Sequence, residues 1–511
     1  MSKNEPKNRD KFVYFFLAAF FLITTLLACL STGTYESGDS IQHYLISRYS
    51  FKHPGLFFSH WGKPFFVLLS SAFAQFGFLG INIFNILCAT LTGLIAYKTA
   101  KLLQLDKPWL ALVFSLFAPI YYVTLITGLT EPLFALMLIA GIYLVLKENF
   151  IASALLISFL PFTRTEGFIL LPLFALAYLI PLQTNAAQNF REFMKTPHFN
   201  IRLISCFLLI TGTVMYSITG YLYNHDLFWI ATQNPYQGAK DIYGSGTAFH
   251  FIAKNEFILG TPLVVLFCIG CLAYLLPKRF IPNPDNDSRI ENTIRPTSTE
   301  RILIPGIFFT YLFLHSLLWW KGMNGSLGLI RVMAGVTPLA GLVALRGLAM
   351  LSSGLKKIPI PKKLSGIKPV LLFILTGLII YMPFKQHRFP SALGYEDIVV
   401  KQSVNWLQQN HPELTGPDRK FYYQYPYLSV FLNNDPFDPK HYVPLWSTHP
   451  KDVAAGSLLI WDSHYGPNES KLPLNTLQAD TTFELLNSFK ADPATIPHDK
   501  TMFEVYIFRK K

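Results

Sequence analysis

The chain has 511 residues, of which 51% are hydrophobic and only 14% are charged, and its formal net charge is +13. The apolar residues come in blocks rather than alternating with polar ones. Several blocks reach the roughly 18–20 residues needed to cross about 30 Å of hydrocarbon. This composition excludes an entirely soluble protein and predicts a polytopic membrane protein.

Taken in chain order, the apolar blocks predict about eleven transmembrane helices. The first is Phe12–Leu30. The region 150–182 is interrupted by Arg164 and Glu166, so we interpret it as two short spans. The other predicted spans lie near residues 80–100, 108–126, 131–147, 202–223, 255–276, 302–320, 328–348 and 369–384.

The basic residues predict the orientation of the chain. Lys3, Lys7, Arg9 and Lys11 precede the first span, and the positive-inside rule places them on the cytoplasmic side. An odd number of spans then places the tail after Phe384 outside. That tail is nearly neutral, so the excess positive charge reflects topology and not nucleic-acid binding.

Two domains are therefore expected. Residues 1–384 form an all-α polytopic membrane domain, with N-in/C-out topology and a first outer loop at residues 32–79. Residues 385–511 form a small soluble α/β domain outside. The outer loop is expected to hold two helices on the membrane surface, one after Asp39 and one at Pro64–Gly77. In the soluble domain we expect a helix at Glu396–Gln409 and strands at Phe421–Tyr427, Ser457–Trp461 and Met502–Phe508.

Charged side chains at membrane depth are costly, which makes them candidates for function. By the predicted topology, several charged or titratable residues lie at or near the outer face: Glu36, Asp39, His43, Lys63, Glu131, Arg164, Glu166, Lys321 and Arg331.

Each of these residues also has a structural interpretation. Glu131 suits the positive end of a helix dipole, and Arg164 with Glu166 suits an internal ion pair. Lys321 suits an interfacial anchor, and Arg331 suits a lipid headgroup. Asp39 has the weakest structural alternative, because Glu36 and the other outer-face charges converge on it.

Four short motifs resemble those of a known superfamily. They are Glu36-Ser37-Gly38-Asp39, Trp61-Gly62-Lys63-Pro64, Thr130-Glu131-Pro132-Leu133-Phe134 and Arg164-Thr165-Glu166-Gly167, with a weaker fifth at Gly328-Leu329-Ile330-Arg331. Over residues 12–384 the chain resembles the C-type, membrane-embedded glycosyltransferases, which include protein O-mannosyltransferases and lipid A aminoarabinose transferases.

The resemblance implies inverting transfer of a sugar from a polyprenyl-phosphate donor to an acceptor hydroxyl on the extracytoplasmic face. It also implies that an acid of the first outer loop is the base, a role that falls on Asp39. The family often has adjacent Asp-Glu, whereas Ser40 follows Asp39 here, so Glu36 is the candidate second carboxylate. The expected acceptor is a glycan, a lipid or a protein, and the expected location is a bacterial inner or plasma membrane.

The residue chemistry is consistent with this reaction. A carboxylate at the membrane surface can accept the proton of the attacking hydroxyl, and cations can stabilise the departing phosphate. We assign substrate binding to Lys63, Glu131, Arg164, Glu166, Lys321, Arg331 and His43. Asp39 and His43 are one helical turn apart and could share a divalent cation with Glu36, but the sequence shows no complete ligand set, so no metal site is assigned.

Two other functions remain open. A transporter or lipid flippase would be expected to show paired repeats and polar sites near the bilayer midplane. The sequence shows no obvious repeat, and its charges cluster towards the outer face. A non-catalytic scaffold would bind partners through the soluble tail and would tolerate replacement of Asp39 and Arg164.

Overall fold

The computed structural model describes residues 5–180, 194, 196–233, 244–276, 296–356, 367–416, 419–498 and 500–511. Its first part, up to residue 386, is helical. The helices of this part are α1 (Glu5–Leu30), α2 (Ser37–Tyr49), α3 (Pro64–Ala74), α4 (Gly77–Leu102), α5 (Leu110–Leu116), α6 (Pro119–Thr124), α7 (Glu131–Leu146), α8 (Phe150–Ile157), α9 (Gly167–Leu179), α10 (Pro197–Leu208), α11 (Thr211–Asn224), α12 (Trp229–Thr232), α13 (His250–Ala253), α14 (Asn255–Leu259), α15 (Thr261–Leu275), α16 (Ser298–Arg301), α17 (Ile307–Lys321), α18 (Thr337–Lys356) and α19 (Ile367–Gln386).

The described residues contain six helices long and apolar enough to cross a membrane, as the composition predicts. They are Asp10–Leu30, Gly77–Leu102, Pro197–Asn224, Ser298–Lys321, Ile330–Ser353 and Lys368–Gln386. Shorter apolar helices include α7, α9 and α15. The multi-pass architecture is therefore confirmed, while the count of eleven spans and the orientation stay predictions.

The predicted span at 108–126 is broken into two short helices, α5 and α6. Pro119 is the reason, because a proline disfavours helical geometry at the residue before it and has no N–H for the helix. Ala118 accordingly has an extended conformation, with φ −64° and ψ 126°. Both helices are fully buried, so this segment lies in the interior of the membrane part.

Residues 32–79, predicted to be the first outer loop and called the outer loop below, contain two helices, α2 and α3, as the sequence predicts. They pack against each other, and Ser47 Oγ lies 2.8 Å from Ser70 Oγ between them. Two residues of this loop have left-handed backbones: Glu36, with φ 57°, before α2, and Lys63, with φ 62°, before α3. Such conformations are uncommon for residues with a Cβ and cluster at functional sites.

The C-terminal part is an α/β unit, also as predicted. Its strands are β1 (Phe421–Tyr423), β2 (Tyr442–Pro444), β3 (Leu458–Asp462), β4 (Phe483–Lys490) and β5 (Glu504–Lys510), and its helices are α20 (Tyr395–Asn410), α21 (Pro426–Phe431), α22 (Tyr465–Asn468) and α23 (Leu474–Ala479). The strand order is β2-β1-β3-β5-β4. Strand β1 pairs in parallel with β2 and β3, and β5 pairs antiparallel with β3 and β4, while α20 packs on β4 and β5.

One strand prediction was wrong in its second half. The strand expected at Phe421–Tyr427 ends at Tyr423, because Pro426 cannot donate to a sheet and instead begins α21. Strands β2 and β4 were not predicted.

The C-terminal part contacts the membrane part at the outer loop. Asp435 Oδ2 lies 2.8 Å from Lys52 Nζ and 2.9 Å from His53 Nε2. The amides of Thr32 and Gly33 donate to the carbonyl of Ser391. A cavity lies between the parts that these contacts join.

Candidate active site

The segment before α7 is held against α4 and α2 by three hydrogen bonds. Asn85 Nδ2 donates to the carbonyls of Thr127 (2.8 Å) and Leu129 (2.9 Å). The Gly128 amide donates to Ser40 Oγ at 2.7 Å. A Cβ on Gly128 would lie 2.1 Å from the Ser40 carbonyl oxygen, so only glycine allows this approach. The result is that the residue before Ser40 and the first residue of α7 face the same site.

A buried carboxylate lies at the centre of the site. Glu131 is fully buried at the start of α7, and its Oε1 lies 3.0 Å from Arg331 Nη1 and 2.7 Å from Arg164 Nη1. Glu131 Oε2 has no hydrogen-bond partner among the residues that the structure describes. One carboxylate therefore bridges two guanidinium groups, and both of its arginine partners are themselves buried.

The two arginines extend this arrangement to further acids. Arg331 lies on a 3₁₀ helix (Ile330–Val336), and its Nη2 donates to Asp39, while its Nε lies 3.9 Å from Glu36 Oε2. On the other side, Arg164 Nη2 donates to Glu166 Oε1 at 2.8 Å. We call these six residues the charged network: Glu36, Asp39, Glu131, Arg164, Glu166 and Arg331. The internal pair of Arg164 and Glu166 matches the structural alternative considered for those residues.

The charged network opens into a cavity of about 1730 Å³. Its floor comes from the membrane part and includes Glu36, Asp39, His43, Trp61, Lys63, Arg164, Glu166 and Arg331, together with Ile169, Ile230, Leu314, Leu318, Leu327, Leu329 and Val332. Its roof comes from the C-terminal part: Gly394, Tyr395, Glu396, Asp397, Tyr423, Gln424, Tyr425, Pro426, Ser429, Pro436, Phe437, Pro439, Tyr442, Pro444, Trp446, His464, Tyr465, Glu469 and Lys500. The side chains of Glu36 and Asp39 are each 30% exposed and can meet a molecule in this space.

The two outer-loop carboxylates have different electrostatic surroundings. Burial alone would raise the pKa of Asp39, but the charge and hydrogen bond of Arg331 outweigh it and hold that pKa below its usual value. Burial raises the pKa of Glu36, and the more distant Arg331 offsets this only in part. Asp39 is therefore ionised at neutral pH, as a proton acceptor must be.

His43 lies one helical turn after Asp39 and, unlike Asp39, is buried. Its Nε2 lies 3.0 Å from the Trp61 carbonyl, which can only accept, so this nitrogen carries the proton. Burial lowers the pKa of His43 to about 4, so the ring is neutral at physiological pH.

The geometry shows whether Glu36, Asp39 and His43 are arranged to share a divalent cation. Asp39 and Glu36 face Arg331, and the Nε2 atom of His43 is occupied by the Trp61 carbonyl. Among the described residues, no group of three or more His, Cys, Asp or Glu side chains could hold a metal ion. The donor set does not fit a metal, and no step below uses one.

The two predicted lysines are placed differently. Lys63 is buried, lines the cavity floor and caps the N-terminal end of α3. Lys321 is the last residue of α17, where its Nζ lies 3.7 Å from the ring centroid of Trp320. It is not among the described residues that line the cavity, so the structure brings every predicted site residue except Lys321 to one place.

The site also contains residues that the sequence did not single out. His315 is buried in α17 and its Nε2 lies 3.3 Å from Glu166 Oε1. A histidine inside the apolar block 302–320 is a recognisable signal, because polar groups in a membrane span are rare. Most roof residues carried no such signal, because nothing in their local pattern relates them to the outer loop.

Solved structures share this fold. ArnT from Cupriavidus metallidurans bound to undecaprenyl phosphate matches with a TM-score of 0.56 at 12% identity, over 96% of this chain and 97% of that chain. The Archaeoglobus fulgidus oligosaccharyltransferase in the apo form matches with a TM-score of 0.52 at 10% identity, over 96% of this chain and 76% of that chain. No protein-family model and no curated protein sequence matches the chain. These two matches, each over 96% of this chain, confirm the fold that the sequence predicts.

Proposed function

We propose that the protein is an inverting glycosyltransferase that moves a sugar from a polyprenyl-phosphate donor to an acceptor hydroxyl. The observation that supports this most is the pair of accessible carboxylates, Glu36 and Asp39, held by Arg331 at the mouth of a cavity in this fold. One fold neighbour, ArnT, was solved with undecaprenyl phosphate bound, which is a lipid of the proposed donor class.

In the proposed reaction, the acceptor oxygen attacks the anomeric carbon from the face opposite the phosphate. The bond between that carbon and the phosphate oxygen breaks, and the lipid phosphate leaves with the bonding electrons. The proton of the acceptor hydroxyl passes to Asp39, which the neighbouring Arg331 keeps ionised. General base catalysis of this kind contributes about 10²–10⁴-fold to the rate.

The leaving phosphate needs positive charge close to it. Arg164 and Arg331 are already contacted by carboxylates, so much of their charge is balanced within the charged network. Lys63 lies on the cavity floor at the N-terminal end of the 11-residue helix α3. A helix N-terminus favours anions through its free N–H groups and its dipole, so Lys63 and this end of α3 are the proposed phosphate-binding elements. Glu131, Glu166 and His43 have a positioning role in this scheme.

The proposal includes an orientation of the chain in the membrane. With the N-terminus inside and about eleven spans, the outer loop, the cavity and the soluble domain after residue 384 face the extracytoplasmic side. The proposed setting is a bacterial inner or plasma membrane, where the sugar donor reaches the cavity from the lipid layer. The acceptor is a glycan, a lipid or a protein that reaches the same cavity from outside.

The test is the substitution Asp39→Asn in the full chain, assayed with extracted polyprenyl-phosphate sugars and cell-envelope acceptors. Transfer should fall by at least about 10²-fold, because the amide cannot accept the proton. The matched control is Asp106→Asn, which changes an exposed carboxylate between α4 and α5. This control should keep full activity.

Two results would reject the assignment. One is full transfer by a folded Asp39→Asn protein. The other is uptake of a lipid or solute by the purified protein in liposomes without any glycosyl transfer, which would favour a transporter.

A further inference from the structure

The roof and the floor of the cavity differ in chemistry. Aliphatic side chains such as Leu314 and Val332 line the floor. Among the described residues of the roof there is no Leu, Ile, Val or Met, and the lining consists of aromatic, proline, glycine and polar or charged residues. A lipid tail suits the floor, whereas the roof lacks the aliphatic surface that would bind one.

The roof presents an indole ring to the cavity. Trp446 is 63% exposed, although the preceding residue, Leu445, is fully buried and anchors the same short helix (Leu445–Ser447). Close by in the chain, the Tyr442 ring lies 4.7 Å from the ring of the buried Tyr423. Large aromatic side chains left exposed in a cavity mark a binding surface, because each ring offers apolar area at low entropic cost.

Polar groups accompany these rings. Gln424 lines the roof, and its Oε1 has no hydrogen-bond partner among the described residues. Glu396 also lines it; its Oε1 accepts from the Tyr395 hydroxyl at 2.9 Å, and both carboxylate oxygens retain lone pairs. A ligand for this surface therefore needs hydroxyl donors around an apolar face.

A saccharide ring has this combination, with C–H groups on its faces and hydroxyl groups around its edge. A peptide fits less well. The edge strand at the cavity, β2, has only three residues and ends in Pro444, which has no N–H, so it offers little backbone for an added strand. A lipid acceptor also fits less well, because the roof has no aliphatic surface that would bind its tail.

Resting on the proposed function, we propose that the roof is the acceptor site and that the acceptor is a saccharide, stacked on Trp446 and hydrogen-bonded to Gln424 and Glu396. The sugar donor then occupies the floor, and the acceptor hydroxyl is presented downwards to Asp39. The soluble part thereby determines which acceptor is used.

The experiment applies the purified full chain in lipid nanodiscs to a saccharide array and to a peptide array of similar size. The wild type should bind members of the saccharide array. Trp446→Ala should weaken that binding at least about tenfold, a loss of about 1.4 kcal/mol. Gln424→Leu should also weaken it, and both variants should keep the thermal unfolding midpoint of the wild type, because neither side chain lies in the core.

The matched control is Leu485→Ala, which removes an exposed apolar side chain from β4, outside the cavity. It should bind saccharides as the wild type does. Asp39→Asn should also bind, because binding on the roof does not need the base. Failure of the proposed function would therefore appear in transfer assays without changing the array result.

Three results would overturn the saccharide proposal: binding confined to peptides, saccharide binding that Trp446→Ala leaves unchanged, or no binding to either array.

Discussion

Replacing Glu131 by Gln tests whether the charged network depends on its central carboxylate. The two side chains have nearly the same shape, so the substitution removes a charge without opening a cavity. Glu131 is fully buried; it accepts a hydrogen bond from Arg331 Nη1 at 3.0 Å and forms an ion pair with Arg164 Nη1 at 2.7 Å. Breaking a buried ion pair by removing one of its charges costs about 3–5 kcal/mol, and we expect a loss of stability of that size here.

The same substitution should reduce catalysis. Arg331 contacts both Glu131 and Asp39, so a displaced guanidinium displaces the proposed base as well. A shift of about 1 Å at a reacting group can cost about 10²-fold in rate, and we expect a loss of that order in transfer per folded molecule. Denaturant titration in detergent micelles gives the stability, and transfer assays below the unfolding transition give the rate.

Glu300→Gln provides the matched control. Glu300 is as buried as Glu131, and its Oε1 accepts from Arg346 Nη2 and from the Tyr274 hydroxyl, both at 2.6 Å, but it makes no contact with the charged network. This variant should lose stability by a similar amount and keep its rate per folded molecule. Two results would refute the reasoning. One is a free energy of unfolding for Glu131→Gln within about 1 kcal/mol of the wild-type value. The other is a transfer rate per folded molecule within about threefold of the wild-type rate.

Two predictions concern pH. Burial raises the pKa of Asp462 from 3.8 to about 7, so the folded protein holds this proton more tightly than the unfolded chain, and stability should fall as pH rises from about 4 to about 7. Unfolding midpoints across this range should show a flatter dependence in Asp462→Asn, and an unchanged slope would contradict the argument. His43 stays neutral because burial lowers its pKa to about 4, so wild type and His43→Gln should have transfer profiles of the same shape between pH 5.5 and 8. An inflection near pH 6.5 that disappears in the variant would show that His43 titrates during turnover.

Local sequence signals predicted much of the fold. The apolar blocks located the long helices, and the helical spacing after Asp39 indicated α2. The break between α5 and α6 was not predicted, although Pro119 disfavours a continuous helix at this point. Strand β2 was not predicted either, because three residues ending in Pro444 form too short a pattern to distinguish from a loop.

The sequence predicted which charged residues form the site, but not which carboxylate contacts which arginine. Charges at membrane depth drew attention to Glu131, Arg164 and Arg331 without indicating that one carboxylate bridges both arginines. That contact depends on how α7 and the 3₁₀ helix at Ile330–Val336 pack, which no local pattern encodes. The contribution of Trp446 was equally hidden, because it arises only when the C-terminal part covers the outer loop.

The sequence distance within the charged network has a consequence for biosynthesis. Glu131 and Arg331 are separated by 200 positions, and Asp39 and Arg331 by 292. During translation the acids are therefore made and delivered to the membrane long before their shared guanidinium exists. Until then Arg164, 33 positions after Glu131, is the nearer partner for the buried carboxylate. A nascent chain stalled before residue 331 would hold Asp39 and Glu131 without the guanidinium group that the two carboxylates share.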